Sequence, residues 1–143
     1  MSISQAMWVH GHSIQPENPA LTVGRIGWAG QIRTLDSAGW YHIAIPTTVI
    51  VTDIRQRIDS AMVEFATGTQ GFLRAFHVYD GQTRIAFQDN LNVTGAGVFY
   101  RFTLSSPARP FVGLGIGISL NLALGHDPQQ AWIDIHAAGV DFV

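Results

Sequence analysis

Cysteine is absent from the 143-residue chain, which excludes disulfides, thiolate zinc sites, iron–sulfur clusters and thiol nucleophiles. Lysine is absent too, all eight cationic side chains being arginine. Schiff-base chemistry goes with it, as does the residue most used to blunt exposed strand edges. Charged residues make up 13% of the chain, where roughly 25% is typical. The arginines are scattered and the net charge is −2, so no basic cluster offers phosphate contacts and no nucleic-acid partner is expected. The longest apolar stretch, Phe111 to Gly125, is interrupted by Ser119 and Asn121 and falls short of the roughly twenty residues of a spanning helix; no membrane partner is expected. The start, MSISQAMWVHGHSIQ, has neither a basic n-region nor an apolar h-region, which makes cytoplasm the expected location. Nucleophile-elbow, phosphate-loop and dinucleotide glycine motifs are all missing.

What the chain does have is apolar alternation. Hydrophobic residues reach 47%, and period-two patterns rich in β-branched and aromatic residues recur from end to end, with no convincing 3.6-residue period. The pattern predicts about ten strands, near 6–12, 24–34, 40–46, 47–52, 57–67, 72–79, 82–88, 98–104, 112–122 and 131–140. QPENP at 15–19, NVTGAG, SSPARP at 105–110 and GHDPQQ at 125–130 punctuate them. Asp80-Gly81 between two alternating runs predicts a hairpin with a type I′ turn. Short strands, regular turn signals and no linker-like stretch fit a single domain over residues 1–143: an all-β, antiparallel β-sandwich of jelly-roll type.

One predicted strand has two unlike faces. Leu114, Ile116, Ile118, Leu120 and Leu122 share one side, while Gly113, Gly115, Gly117, Ser119 and Asn121 share the other. Glycines inside a strand suggest a close approach to the backbone. Either aromatics of this chain fill the flat face, or a ligand or a second subunit lies on it.

Two constellations carry chemistry. Tryptophan recurs beside histidine or acid at strand spacing: Trp8 with His10 and His12, Trp40 with His42, and Trp132 with Asp134 and His136. If the strands are neighbours, Trp8, Trp40, His42, Trp132, Asp134 and His136 make a surface able to stack on the apolar face of a sugar or to anchor a protein interface. Otherwise the indoles are core and the imidazoles cap them. The second constellation is His10, His12 and Glu17 followed by Gly24, which resembles most of the first cupin motif. That resemblance implies a jelly roll holding a divalent metal on two imidazoles and a carboxylate. The chain departs from the motif, with Ser4 where the leading glycine belongs, Pro16 and Pro19 flanking the acid, and no second motif around His77 or His126.

The segments MWVHGHSIQPENP, WYHIAIPT at 40–47, RIDSAMVEFATG at 57–68, FHVYDG at 76–81 and the closing AAGVDFV together resemble a family of uncharacterised bacterial proteins of similar length. The resemblance implies that the chain is one unit and transfers no activity. The expectation is therefore a non-enzymatic binding or assembly protein without a cofactor, lectin-like toward carbohydrate and homo-oligomeric because its surface is poor in charge. The alternatives are a cupin-like metal-dependent enzyme and a purely structural self-assembling subunit.

Overall fold

A computed structural model of the protein describes residues 5–104 and 110–143; Ser4 and most of the SSPARP connection lie outside the described residues. Among the described residues thirteen strands are formed: β1 (Gln5–His10), β2 (Gln15–Pro16), β3 (Gly24–Ile26), β4 (Ala29–Ile32), β5 (Ala38–Ile45), β6 (Ile50–Val51), β7 (Ile54–Arg55), β8 (Ile58–Thr67), β9 (Gly71–Asp80), β10 (Thr83–Gln88), β11 (Val98–Thr103), β12 (Ile116–Leu124) and β13 (Ile133–Phe142). Eleven of them build two antiparallel sheets in a β-sandwich of jelly-roll type. Sheet A runs β11-β8-β13-β4-β3, with β1 also paired to β13, and sheet B runs β10-β9-β12-β5-β2. β6 and β7 form a separate hairpin.

The alternation read from the sequence explains the core. Ala61, Val63 and Phe65 of β8 and Ile133, Ile135, Ala138, Val140 and Phe142 of β13 face Tyr41, Ile43 and Ile45 of β5 and Ile116, Ile118, Leu120 and Leu122 of β12 across the sandwich. Aromatic packing joins the sheets where Phe76 of β9 meets Tyr100 and Phe102 of β11, with ring centroids 6.0 and 5.9 Å apart. On the outside of sheet A, Arg101 binds Asp59 at 2.9 Å and approaches Asp141 at 3.6 Å. Both carboxylates are almost fully buried.

Local departures from the predicted strands have identifiable causes. The 24–34 run is a hairpin rather than one strand, β4 folding back on β3 so that Ile26 pairs with Ala29. The Asp80-Gly81 hairpin forms, but its turn is displaced by one residue: Asp80 stays in β9 opposite Thr83. Gly81 alone takes a positive φ, +58°, which is the demand of a type II′ turn. The paired positive φ values of a type I′ turn occur instead at Thr52 (51°) and Asp53 (60°), between β6 and β7. Asp80 is held in line by its side chain, whose carboxylate accepts the backbone N–H groups of Gly113, Leu114 and Gly115 at 2.6, 2.9 and 3.0 Å. The same bonds keep 113–115 out of the strand, so β12 starts at Ile116 and Leu114 projects into solvent, 76% exposed, instead of joining the buried face.

Candidate functional site

β12 is the middle strand of sheet B, and its small outward residues leave a floor on which side chains from both neighbours can meet. Ser119 pairs with His42 of β5 on one side and His77 of β9 on the other; Gly117 lies between Ala44 and Tyr79, and Asn121 between Trp40 and Ala75. Because Tyr41, Ile43, Phe76 and Val78 point into the core, Trp40, His42, His77 and Tyr79 must point out. A cleft of about 420 Å³ results, lined by Glu17, Trp40, His42, His77, Tyr79 and Ser119. That size falls within the range of small-ligand sites. No described residue fills the floor beside Tyr79, since a Cβ built on Gly117 would meet no heavy atom of theirs within 4 Å.

Polar groups in the cleft are held in two acid–imidazole pairs. The Glu17 N–H donates to Trp40 O at 2.9 Å, which sets the Glu17 side chain against His42 with Oε1 3.3 Å from Nε2. Pro16 is accommodated because β2 is an edge strand, where a missing N–H costs no ladder bond. A carboxylate only accepts, so the His42 Nε2–H donates to it, and in the neutral ring Nδ1 accepts from the Ser119 hydroxyl at 2.8 Å. On the opposite side, His77 donates from Nε2 to Asp89 Oδ1 at 2.7 Å. The His77 ring packs 4.6 Å from that of Trp40 and 5.9 Å from that of Phe87.

Serine, histidine and acid in a hydrogen-bonded chain are also the wiring of a hydrolytic nucleophile. Acyl transfer further needs N–H donors aimed at a developing oxyanion, whereas the backbone around Ser119 is paired on both sides within the sheet. The arrangement suits holding a ligand: two indole or phenol surfaces, hydroxyl and imidazole groups, and carboxylates that accept from hydroxyls.

The tryptophan pairs read from the sequence separate. Trp40 and His42 lie in this cleft. Trp8 is on the outer face of sheet A, its indole covering Gly139 and lying 5.8 Å from the Phe99 ring. Trp132 precedes β13 under the Arg33 guanidinium, 5.6 Å from its ring centre, and Asp134 is bound by the same arginine at 2.5 Å. His136 is the extra residue of a bulge between Ile135 and Ala137, so it leaves the alternation that placed it with Asp134.

His10, His12 and Glu17 do not converge as a cupin-like set. β1 ends at His10 and a 3-10 turn covers Gly11–Ser13, so the two histidines are not alternate residues of one strand. The His10 Nδ1 accepts the His12 N–H at 3.1 Å, the His12 Nε2 faces Ile26 O, and Glu17 belongs to the cleft of the other sheet. Among the described residues no group of three or more His, Asp or Glu is placed to hold a metal ion.

His77, Tyr79 and Asp89 are not among the ligand-binding residues expected from the sequence, and Ser119 is expected there only as part of the flat face of β12. The alternation in FHVYDG, apolar and polar by turns, carries the signal for His77 and Tyr79, and the flat face of β12 carries it for Ser119.

The model of a family of unknown function, DUF6623, matches residues 2–143. No curated protein matches by sequence. Solved structures match in fold. A low-affinity xylan-binding module, CBM86, from the gut symbiont Roseburia intestinalis aligns with a TM-score of 0.59 at 10% identity, covering 98% of this chain and 97% of that one. A CBM61 module solved with β-1,4-galactotriose gives 0.53 at 14% identity over 92% and 86%. The C-terminal CBM6 of a laminarinase from Zobellia galactanivorans gives 0.52 at 10% identity over 95% and 99%.

Proposed function

We propose that this chain, which belongs to the family of unknown function DUF6623, is a non-enzymatic carbohydrate-binding protein whose glycan lies in the outer cleft of sheet B. The observation that carries this reading is the composition of the cleft: Trp40 and Tyr79 border an open floor at Gly117 and Ser119, and the Glu17–His42 and His77–Asp89 pairs stand on either side. A sugar ring presents an apolar C–H face and a rim of hydroxyls, and this cleft offers an aromatic surface for the first and acceptors and donors for the second. The likeness in fold to carbohydrate-binding modules supports the same reading.

Affinity electrophoresis against a panel of soluble polysaccharides, including arabinoxylan, β-1,4-galactan and laminarin, tests it. Retardation on at least one polysaccharide, lost in Trp40→Ala and kept in Trp8→Ala and Trp132→Ala, is the expected result. Failure to bind any polysaccharide, or binding indifferent to Trp40→Ala, rejects it.

Self-association is a second reading, favoured by one end of the sandwich. There Ile50, Ile54, Phe111 and Leu114 are each more than half exposed, on segments tied together by Arg55 Nη1 to Val112 O at 2.8 Å and Val112 N to Gln56 O at 3.0 Å. Apolar side chains grouped in this way favour contact with another copy. Multi-angle light scattering expects an oligomer that Ile54→Arg, Leu114→Arg dissociates; a monomer at high concentration removes the reading.

A further inference from the structure

The indole of Trp40 is a wall shared by two cavities. On the side away from Glu17 and His42, a second cleft of about 640 Å³ is lined by Trp40 together with Arg74, Asp89, Asn90, Asn92 and Asn121. Asn121 is two residues beyond Ser119 on the same outward face of β12, an advance of roughly 6.6 Å along the strand, comparable with the length of one pyranose ring. The clefts are also chemically joined at their seam: His77 lines the first, Asp89 lines the second, and the two are hydrogen-bonded at 2.7 Å.

The second cleft has its own wall. After β10 the chain runs beside β9, with Leu91 N bonded to Arg74 O at 2.8 Å and Val93 and Leu73 exchanging backbone bonds at 2.9 and 3.1 Å. Asn90 enters that run with φ of 57°, in the left-handed region that asparagine tolerates better than most residues. The wall is therefore formed before any ligand arrives, and a pre-formed wall lowers the ordering cost of binding. Its chemistry differs from that of the first cleft. Three asparagine amides each present a donor and an acceptor, and Arg74 adds donors, a set suited to vicinal hydroxyls and free of imidazole.

We infer that the ligand is an oligosaccharide bound across Trp40, one sugar unit on the Glu17–His42 side and the next on the Asn121 side, where Arg74, Asn92 and Asn121 bind its hydroxyls. This rests on the carbohydrate reading and adds the ligand's length and the residues that recognise its second unit. Since both clefts are open to solvent, the groove takes an internal stretch of a glycan and does not require a chain end.

Isothermal titration with the monomer-to-hexamer series of xylan, β-1,4-galactan and laminarin tests it. For the series that binds, affinity rises by about tenfold or more between monosaccharide and tetrasaccharide, the worth of one further set of hydrogen bonds. Asn121→Ala and Asn92→Ala each reduce that rise while thermal melts stay at the wild-type value; Asn92 is exposed on the loop, so its variant tests recognition even if Asn121→Ala disturbs β12. Equal affinity for monosaccharide and tetrasaccharide, or an unchanged rise in both variants, overturns the two-unit groove and leaves glycan binding standing. Silence of every series, hexamers included, overturns glycan binding and this inference with it.

Discussion

The rings of Trp40 and His77 pack with centroids 4.6 Å apart and planes tilted by 50°, although their strands, β5 and β9, are not paired with each other. They meet over β12, which separates them in the sheet, because the outward residues beneath are serine, asparagine and glycine. A bulky side chain at Ser119 would hold the rings apart. Small residues on the central strand and large ones on its neighbours are thus two halves of one cleft.

Two outward glycines should respond oppositely to substitution. Gly117 faces open space, so Gly117→Ala is expected to stabilise the fold by about 0.5–1 kcal/mol by restricting the unfolded chain. Gly117→Val should keep stability and weaken glycan binding by covering the floor. A Cβ on Gly139 would instead lie 2.7 Å from the Met7 carbonyl oxygen and 2.8 Å from the Trp8 indole. Gly139→Ala should therefore cost roughly 1–3 kcal/mol through overpacking. Urea unfolding of the variants checks both signs.

Arg101 is expected to be needed for folding stability. Its guanidinium serves Asp59 and Asp141, and also donates to Ser60 Oγ at 2.9 Å. Arg101→Ala would take a cation away from two buried carboxylates, a change that costs on the order of 3 kcal/mol. Calorimetry should record a fall in Tm on the order of 10 °C, and an unchanged Tm would contradict the assignment.

Asp80 supplies a pH dependence. Burial pushes its carboxyl upward, but the N–H groups of Leu114, Gly113 and Gly115 and the charge of Arg55 outweigh it and hold the pKa below the ordinary carboxylate value. A folded pKa lower than the unfolded one of about 3.9 means that the stabilisation is fully present above that pH. It is lost as pH falls through the lower, folded value. Asp80→Asn should be less stable than wild type at pH 7, with the difference shrinking below about pH 4. A difference constant from pH 7 to pH 3 would argue against it.

Glu17 and His42 should act together in binding. Glu17→Gln keeps the shape but weakens the acceptor that faces His42 Nε2, and Ser119→Ala removes the hydroxyl on Nδ1. Each is expected to weaken glycan affinity by several-fold, on the order of one hydrogen bond. The double variant should lose less than the sum, because both act through one ring. Strict additivity in titration calorimetry would mean that the imidazole does not couple them.

Much of the architecture can be read along the chain. Leu120 alternating with Ser119, or Val78 with His77, announces a strand with one buried and one open face, and such runs cover most of the elements. Where a side chain captures distant backbone, local reading fails: nothing near Asp80 in the sequence reveals that it binds Gly113–Gly115, so the turn type and the start of β12 were both misplaced. Trp40 and His42 were legible as an outward pair. Their partners Glu17, His77 and Ser119 were not legible as one site.

The sequence by itself determined that β-strands form, which residues of each share a face, and that Ser119, Asn121 and Gly117 leave one face flat, because side-chain alternation is a property of a single extended strand. Only the tertiary structure decided which faces share a sheet. Trp8 and Trp40 stand in the same local pattern, tryptophan followed two residues later by histidine, yet β1 pairs with β13 and β5 with β12, and the indoles end on opposite sides of the sandwich. The pairing that brings His42 to Ser119 spans 77 residues, and its register is fixed by burial of apolar faces across the whole fold rather than by any local signal.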